Sequence, residues 1–448
     1  MKIMKLNKLT LKSIADLRSH ILSKTPSFYH SSMTSTVIPY DSIESYLSSI
    51  GIAEFTMVDL STMPNFMEIN ERGELVISGA VTWKDAKAFC RSKGRDIMTS
   101  PTEELACILA GFATSATGER FFGFGGLREQ VVSLEYCNAK AETCELQATK
   151  PIEDYTDLTE YQKSYEHFSE FKNAPFPRMV QETDLLIGTE GQLGVITGAT
   201  LKTTELNERT YIFIKLPKWE ESIKPHMEVF HKVQAFRDQV FSCELLDSNS
   251  LKVLPSEEQV SSSGDLIFLE VLTGSFEEVY EKLLGEFDFI SEEDIFEISA
   301  ARCHALRMNV PRYTFERNAR MGVVKKGTDV QVKSANFEEL FEIYRSWTKL
   351  GVEYNLFGHF GDAHLHFNFM PTKEQEEVCQ EQLLQLYKKV LELGGSPFAE
   401  HGIGLIKQKF IKNYLSSTQY DFFKVLKQEM DPENIFFPVG YLNLKEKA

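Results

Sequence analysis

The chain has 448 residues, 42% of them apolar and 25% charged, which predicts a folded globular protein too long for one ordinary hydrophobic core. Its formal net charge of −17 argues against a nucleic-acid surface, and no apolar run approaches the ~18 residues of a membrane span. Seven cysteines without a CxxC pair and a start without a signal-peptide pattern favour a cytoplasmic protein with reduced thiols.

The first part of the chain predicts short elements that alternate with loops of small or hydroxyl-bearing residues. Residues 9–22 have the apolar spacing of a helix, and residues 26–30 read as a strand-like entry into a hydroxyl-rich loop. Further strands are predicted at 55–60, 66–69 and 75–79, with a helix at 83–91. The hydroxyls of the loop belong to Ser31, Ser32, Thr34 and Ser35.

Two later loops also combine glycine with small or hydroxyl-bearing side chains. Counting the hydroxyl-rich loop as the first, residues 109–120 form the second loop, where small residues let the backbone approach a ligand closely. In the third loop, at 184–197, three glycines spaced three apart lie between apolar strands, a pattern that is common in ordinary turns. The glycines are Gly188, Gly191 and Gly194.

The second half predicts an α+β layer. Its apolar runs give the order strand, helix, strand, strand, helix, strand, which indicates a split βαβ unit with helices on one face. These elements are expected at 210–216, 219–236, 240–246, 266–273, 276–289 and 295–298. Residues 301–332 are basic, a pattern most often seen on a solvated face, and amphipathic helices are predicted at 337–350 and 373–393.

Histidines are concentrated near the C-terminus. From 363 to 369 the residues alternate as in a strand, so His364 and His366 should project from one face, and a Gly-Asp turn can fold His359 back towards them. Two imidazoles and the carboxylate of Glu400 suit a divalent zinc, manganese or iron ion, and His401 could then act as a base. The alternative is that the histidines only hydrogen-bond in a polar loop.

Residues 358–368 and 394–404 resemble two signatures of the FAD-linked oxidase family of the vanillyl-alcohol oxidase type, which includes D-lactate, glycolate and D-2-hydroxyglutarate dehydrogenases. The resemblance covers nearly the whole chain. It implies a PCMH-type FAD-binding domain at 1–203 and a ferredoxin-like α+β cap and substrate domain at 204–448, whose C-terminal segment returns to the active site. The family pattern has Gly and Asn where this chain has Ala363 and His364.

The resemblance also implies roles for individual residues. His359, His366 and Glu400 match the metal ligands, His401 matches the catalytic base, and Arg307 matches the arginine that clamps the substrate carboxylate, with Lys326 as a second catalytic cation. The residues expected to contact FAD lie in the three loops: Ser31, Ser32, Thr34, Ser35, Ala110, Ala113, Thr114, Ser115, Gly118, Gly188, Glu190, Gly191, Gly194, Val195 and Ile196.

We therefore expect an FAD-dependent dehydrogenase that oxidises a small anionic D-2-hydroxy acid, such as D-lactate, glycolate or D-2-hydroxyglutarate, and passes the electrons to an unidentified acceptor. One alternative is a non-catalytic relative that has lost tight FAD binding, because the first loop has no glycine and Phe437 replaces a family asparagine. Another is a metal hydrolase built on the histidines and Glu400, which would leave the flavin-like loops unexplained.

Overall fold

The structure is a computed structural model that describes residues 4–99, 101–153, 155–169, 171–172, 177–235, 237–260, 263–285, 287–411 and 414–443. Its strands are β1 Lys5–Thr10, β2 Ser27–His30, β3 Glu54–Asp59, β4 Phe66–Ile69, β5 Leu75–Ser78, β6 Arg95–Asp96, β7 Val131–Cys137, β8 Thr143–Gln147, β9 Val195–Leu201, β10 Thr204–Glu205, β11 Arg209–Leu216, β12 Ser242–Leu246, β13 Asp265–Leu272, β14 Ile295–Ile298, β15 Lys326–Gly327, β16 Glu353–His359 and β17 His364–Met370.

Its helices are α1 Ile14–Leu22, α2 Ile43–Ser49, α3 Trp83–Ser92, α4 Ile108–Ala113, α5 Phe121–Phe124, α6 Leu127–Gln130, α7 Leu158–Tyr165, α8 Lys224–Ala235, α9 Ser248–Lys252, α10 Phe276–Leu284, α11 Ala300–Met321, α12 Phe337–Trp347, α13 Glu376–Glu392, α14 Gln408–Ile411 and α15 Ser417–Met430. The chain packs as two compact units. Unit 1 comprises Met1–Gly118, Gly125–Leu206 and Glu400–Ala448, and unit 2 comprises Glu119–Phe124 and Asn207–Ala399. The division at 203/204 stays a prediction about domains.

Unit 1 contains a parallel three-stranded sheet in the order β1-β3-β2 and an antiparallel five-stranded sheet in the order β4-β5-β9-β7-β8. The predicted helix at 9–22 was too long. Residues up to Thr10 pair with β3 instead, and α1 begins only after Ser13, whose side chain accepts a hydrogen bond from the Asp16 amide. The C-terminal segment extends the parallel sheet, because Ser27 exchanges backbone hydrogen bonds with Ile435 and Phe437.

Unit 2 is built on a seven-stranded sheet in the order β14-β11-β13-β12-β16-β17-β15. The first four strands of this sheet, β14, β11, β13 and β12, are antiparallel to their neighbours. Numbered along the chain they lie in the sheet order 4-1-3-2, which is the arrangement of a ferredoxin-like split βαβ layer. The predicted α+β class is confirmed. The helix predicted from 219 begins only at Lys224, because the Trp219 amide donates to the Asp265 carboxylate.

The two helices of the predicted split βαβ layer, α8 and α10, lie on one face of this sheet, as predicted. Helices α8, α10, α12 and α13 bury one face, where Leu269 and Phe367 contribute to the core. Helices α9 and α11 cover part of the other face, where Phe213 and Phe268 pack against Leu306. Strand residues alternate between the two faces, so the second face also carries polar side chains beyond the apolar patch, and we call it the histidine face.

Helix α11 contains most of the basic run that the sequence analysis assigned to no element. Its N-cap Ser299 accepts from the Arg302 amide, and it ends at Gly322 in the left-handed conformation with φ +65°. Pro311 lies inside the helix and hides its periodicity in the sequence.

Two carboxylates with no predicted role are buried together at one edge of unit 2. Asp247 caps α9 through the Ser250 amide, and Asp265 accepts from His226 Nε2 at 3.1 Å and from the Trp219 amide. Burial and then the charge of Asp265 raise the pKa of Asp247 from 3.8 to about 7. The folded protein therefore holds this proton more tightly than the unfolded chain does.

We expect the Asp247→Asn variant to change how stability depends on pH. Between pH ~4 and ~7 the native state binds the extra proton, so Asp247 makes the wild type less stable as pH rises through this range. The free energy of unfolding of the variant relative to that of the wild type should therefore be more than about 1 kcal/mol higher at pH 7.5 than at pH 4.5. Urea unfolding followed by tryptophan fluorescence measures this, since Trp219 and Trp347 both lie in unit 2. Asp238→Asn serves as the control for the change in net charge. If the free energies of unfolding of the wild type and Asp247→Asn changed with pH in the same way, Asp247 would not have the raised pKa.

Candidate functional site

A β-hairpin brings three histidines together on the histidine face of unit 2. His359 ends β16 and pairs with His364, the first residue of β17, across a turn in which Ala363 has φ +53°. His366 follows two residues later and points to the same face. The ring centroid of His364 lies 4.6 Å from that of His366 and 5.4 Å from that of His359. The expectation that these side chains converge is met, and we call the group the histidine hairpin.

Neighbouring groups determine which nitrogen of two of these rings carries the proton. His366 Nδ1 lies 3.1 Å from the Thr328 carbonyl, which can only accept, so Nδ1 must be the donor. His359 Nδ1 lies 2.8 Å from the Glu244 carboxylate, which is buried with it. In the neutral form both rings then carry the lone pair on Nε2, as metal-binding histidines held by a carboxylate or carbonyl do.

The donor set fits a divalent metal ion. Ligand atoms of His359, His364, His366 and Glu400 all lie within 4.8 Å of one another. Glu400 follows Ala399 of unit 2 directly, and the Ala399 amide donates to the Asp329 carbonyl, so the peptide bond keeps Glu400 beside this edge. Ligand atoms ~2.1 Å from an ion are ~3.4 Å apart in a tetrahedral arrangement and at most ~4.2 Å apart in an octahedral one, so the most distant atoms of the group would approach one another by roughly 0.6–1.4 Å to bind an ion.

Arg307 of α11 makes an ion pair with Glu119, and both side chains are largely buried. Glu119 begins the segment Glu119–Phe124, which leaves the second loop and packs into unit 2, where the Gly123 amide donates to the Phe241 carbonyl at 3.0 Å. The guanidinium has five N–H donors in a planar fork, so a carboxylate ligand could share it with Glu119. The negative charge of Glu119 holds the arginine in place.

Lys326 is placed differently from the other predicted catalytic residues. It pairs with Phe369 in the ladder between β15 and β17, so its side chain points to the face opposite the histidines. Its Nζ lies 3.5 Å from the Glu376 carboxylate of α13. The structure does not bring Lys326 into the histidine hairpin, and its catalytic role stays a prediction.

In unit 1 the second and third predicted FAD loops are joined by their backbones. The Gly188 amide donates to the Phe112 carbonyl at 3.1 Å, and the Glu190 amide donates to the Ala113 carbonyl at 2.7 Å. Ala110 lies within α4, and Thr114, Ser115 and Gly118 follow the helix, with Ser115 in the left-handed region.

The third loop then turns sharply into β9. Gly194 is required there, because a Cβ atom would lie 2.6 Å from the Tyr136 ring. Val195 and Ile196 are the first residues of β9 and pair with Cys137 and Tyr136. Gly191, with φ +72°, supplies the left-handed turn before them.

Glu190 connects the third loop to the turn after His401. Its carboxylate accepts from the Ile403 amide at 2.7 Å and from the Gly404 amide at 3.0 Å. Burial raises the pKa of the Glu190 carboxyl, while these two amides oppose the shift. His401 itself is exposed at the start of this turn. Glu190 therefore fixes the backbone that carries the predicted base, a role that differs from the predicted cofactor contact.

The first loop completes a closed set of contacts. The Val37 carbonyl accepts from the Leu405 and Ile406 amides at 3.0 and 3.1 Å, so these residues do not extend α14 towards the N-terminus. At its other end Ser31 lies beside Cys107, the residue before α4; burial raises the pKa of the Cys107 thiol, and the Ser31 side chain is among the groups that oppose this shift. Ser32 and Thr34 are exposed, and Ser35 is half-buried. We call residues 31–37, 107–115, 188–190 and 402–406 the loop ring.

Sequence reasoning missed two acidic residues of the site. Glu244 lies in the otherwise apolar strand β12, and a buried carboxylate in such a strand is the signal that could have identified it. Glu119 had no such signal, because only the fold brings it to Arg307. No helix in the described parts of the chain is long and apolar enough to cross a membrane.

Comparisons with known proteins show which family models and solved structures this chain resembles. The model for the C-terminal domain of FAD linked oxidases matches residues 206–439, and an FAD binding domain model matches residues 36–147. A solved structure of alkyldihydroxyacetonephosphate synthase shares the fold with a TM-score of 0.65 and 13% identity, covering 96% of this chain and 75% of that one.

The names of two relatives state an activity. The glycolate oxidase subunit GlcD of Bacillus subtilis strain 168 is 25% identical over 57% of this chain and 56% of its own length. The mitochondrial D-lactate dehydrogenase [cytochrome] of Kluyveromyces lactis is 22% identical over 90% of this chain and 68% of its own length. This chain thus spans little more than half of the first relative. Because the C-terminal-domain model alone matches just over half of the 448 residues, the chain belongs to the family of FAD-linked oxidases, which are FAD-dependent oxidoreductases.

Proposed function

We propose that this protein oxidises a small D-2-hydroxy acid to the corresponding 2-oxo acid. The observation that carries the proposal is the histidine hairpin, in which Glu244 and the Thr328 carbonyl hold the rings of His359 and His366 in an orientation that suits metal binding, in a chain of the FAD-linked oxidase family. Relatives named as a glycolate oxidase subunit and a D-lactate dehydrogenase support the same substrate class.

The loop ring and its neighbours are the proposed FAD site. Its segments offer backbone amides, the hydroxyls of Ser31, Ser32, Thr34, Ser35, Thr114 and Ser115, and the small residues Ala110, Ala113, Gly118, Gly188, Gly191 and Gly194. Small residues let the backbone approach a dinucleotide closely, and successive amides suit its phosphates. Val195 and Ile196 would offer backbone groups near the flavin ring. When bound, FAD supplies the hydride acceptor.

The chain's own residues would divide the remaining work. Arg307 binds the substrate carboxylate with parallel hydrogen bonds and is held by Glu119. His359, His366 and Glu400 would hold a divalent ion, and such an ion would lower the pKa of the substrate hydroxyl. His401 accepts the hydroxyl proton at its imidazole as the hydride leaves C2, so that the C–O single bond becomes the carbonyl of the 2-oxo acid. The hydride carries both of the electrons removed, and the proton carries none.

An anaerobic absorption experiment tests the proposal. We expect purified protein to show a flavin spectrum that bleaches when D-lactate, glycolate or D-2-hydroxyglutarate is added, and the acid that bleaches it is the substrate. Reoxidation by oxygen, compared with reoxidation by cytochrome c, then tests the electron acceptor. A flavin spectrum that none of these acids bleaches would refute the substrate class.

A non-catalytic relative is the second candidate, and one observation favours it. The loop that should hold the FAD pyrophosphate has no glycine, and Phe437 adopts φ +38°, where an aromatic residue is strained and an asparagine is tolerated. Phe437 instead packs against Phe28 with 4.7 Å between ring centroids. Colourless protein that takes up no added FAD would establish this candidate in place of the enzyme.

A further inference from the structure

We propose that His364 is a third imidazole ligand of the metal ion at the histidine hairpin, and that it biases this site towards Zn²⁺, Co²⁺ and Fe²⁺ over Mn²⁺. The inference rests on the metal site of the proposed function. It concerns a residue that departs from the family signature, which has asparagine at this position.

The hairpin register is the first support. His364 faces His359 directly across the strand pair, and His366 is its neighbour on the same face of the same strand. The three ring centroids are separated by 4.6, 5.4 and 6.2 Å, and the ligand atoms of all three rings lie within the 4.8 Å that also includes Glu400. No ring would have to leave its strand position to reach a common ion.

The burial of His364 is the second support. Its side chain is inaccessible to solvent, whereas His366 is half-buried. Its Nε2 lies 3.6 Å from Asp329 Oδ1, so the buried ring stands beside a negative charge that would favour a cation at this group of histidines.

Coordination chemistry gives the consequence. Three nitrogens and one carboxylate favour Zn²⁺, Co²⁺ and Fe²⁺, whereas Mn²⁺ prefers oxygen-rich sets. On a tetrahedral ion these four ligands complete the coordination sphere. On a six-coordinate ion they leave two positions, which is the number that the hydroxyl and one carboxylate oxygen of a 2-hydroxy acid occupy. With His364 as a ligand, the substrate could therefore bind the ion only if the ion accepts more than four ligands.

The test measures metal binding to the full chain and needs no turnover. Metal-stripped wild type and His364→Asn are titrated with Zn²⁺ and with Mn²⁺ against a chromophoric chelator. We expect the variant to bind Zn²⁺ about 10-fold or more weakly, with a smaller change for Mn²⁺. His366→Asn is the positive control for a lost ligand, and His231→Asn on exposed α8 surface is the negative control.

The competing role is an ion pair between His364 and Asp329 that only supports the fold. In that case His364→Asn would bind Zn²⁺ like the wild type while His366→Asn would not, and the proposal would be overturned. X-ray absorption of the Zn²⁺-loaded wild type decides the matter if the variant fails to fold, since three imidazoles support the proposal and two refute it. A wild type that binds no Zn²⁺ would also refute it, whereas bleaching of the flavin by a hydroxy acid tests the oxidation independently.

Discussion

Replacing His401 by asparagine should slow reduction of the flavin by ~100-fold or more while the protein stays yellow. Asparagine keeps the approximate size and polarity of the side chain, but its amide cannot accept a proton near neutral pH. The turn that carries the residue should persist, because Glu190 holds it through the Ile403 and Gly404 amides and not through the imidazole. Single-turnover reduction, followed anaerobically by stopped-flow absorbance, measures the effect.

The control for this variant is His231→Asn, which removes an exposed imidazole from α8. It should reduce its flavin at the wild-type rate. Equal rates in the wild type and His401→Asn would show that another group accepts the hydroxyl proton. Loss of the yellow colour in His401→Asn would mean that the residue contributes to binding FAD, and the proton-transfer role would then have to be abandoned in favour of a binding role.

Replacing Arg307 by lysine should weaken substrate binding by ~10-fold or more, since a hydrogen bond to a charged group is worth about 1.5–3 kcal/mol and lysine cannot form the paired contact. Lysine keeps a positive charge beside Glu119, so the variant avoids leaving that carboxylate buried alone. The apparent dissociation constant from the substrate dependence of flavin reduction should rise, and the limiting rate should change less.

Two comparisons make this result specific. Arg302→Lys alters an exposed arginine of the same helix and should bind substrate normally. The methyl ester of the substrate has no carboxylate, so the wild type and Arg307→Lys should handle it equally. If Arg307→Lys bound the free acid as tightly as the wild type does, Arg307 would be a structural partner of Glu119 and the carboxylate would have a different anchor.

The order of the elements could be read from the sequence because it depends on local pattern. The alternation around Leu365 correctly predicted that His364 and His366 share a face, and the strand and helix order of unit 2 correctly predicted a split βαβ layer. Helix α11 was missed because Pro311 and many charges hide its periodicity.

Contacts over long sequence distances could not be read in the same way. Nothing in the neighbourhood of Glu190 indicates that its carboxylate binds amides more than 200 residues away, nor does the sequence around Glu119 indicate Arg307. Such pairs depend on how separate elements pack. The sequence motifs therefore identified residues of the candidate site, whereas the residues that contact them could be identified only from the structure.

The loop ring connects the proposed FAD loops to the turn that follows His401. Its four segments contact one another in a cycle, from Ser31 to Cys107, from Phe112 to Gly188, from Glu190 to Gly404 and back to Val37. Movement of one segment would therefore disturb its contacts with two others. If the loop ring holds FAD as proposed, binding of the dinucleotide and the orientation of the turn after His401 would be linked, each altering the other by the same free energy. A side chain at Gly404 would break this cycle, because its Cβ atom would lie 2.4 Å from the Val37 carbonyl oxygen, and the turn after His401 would shift with it.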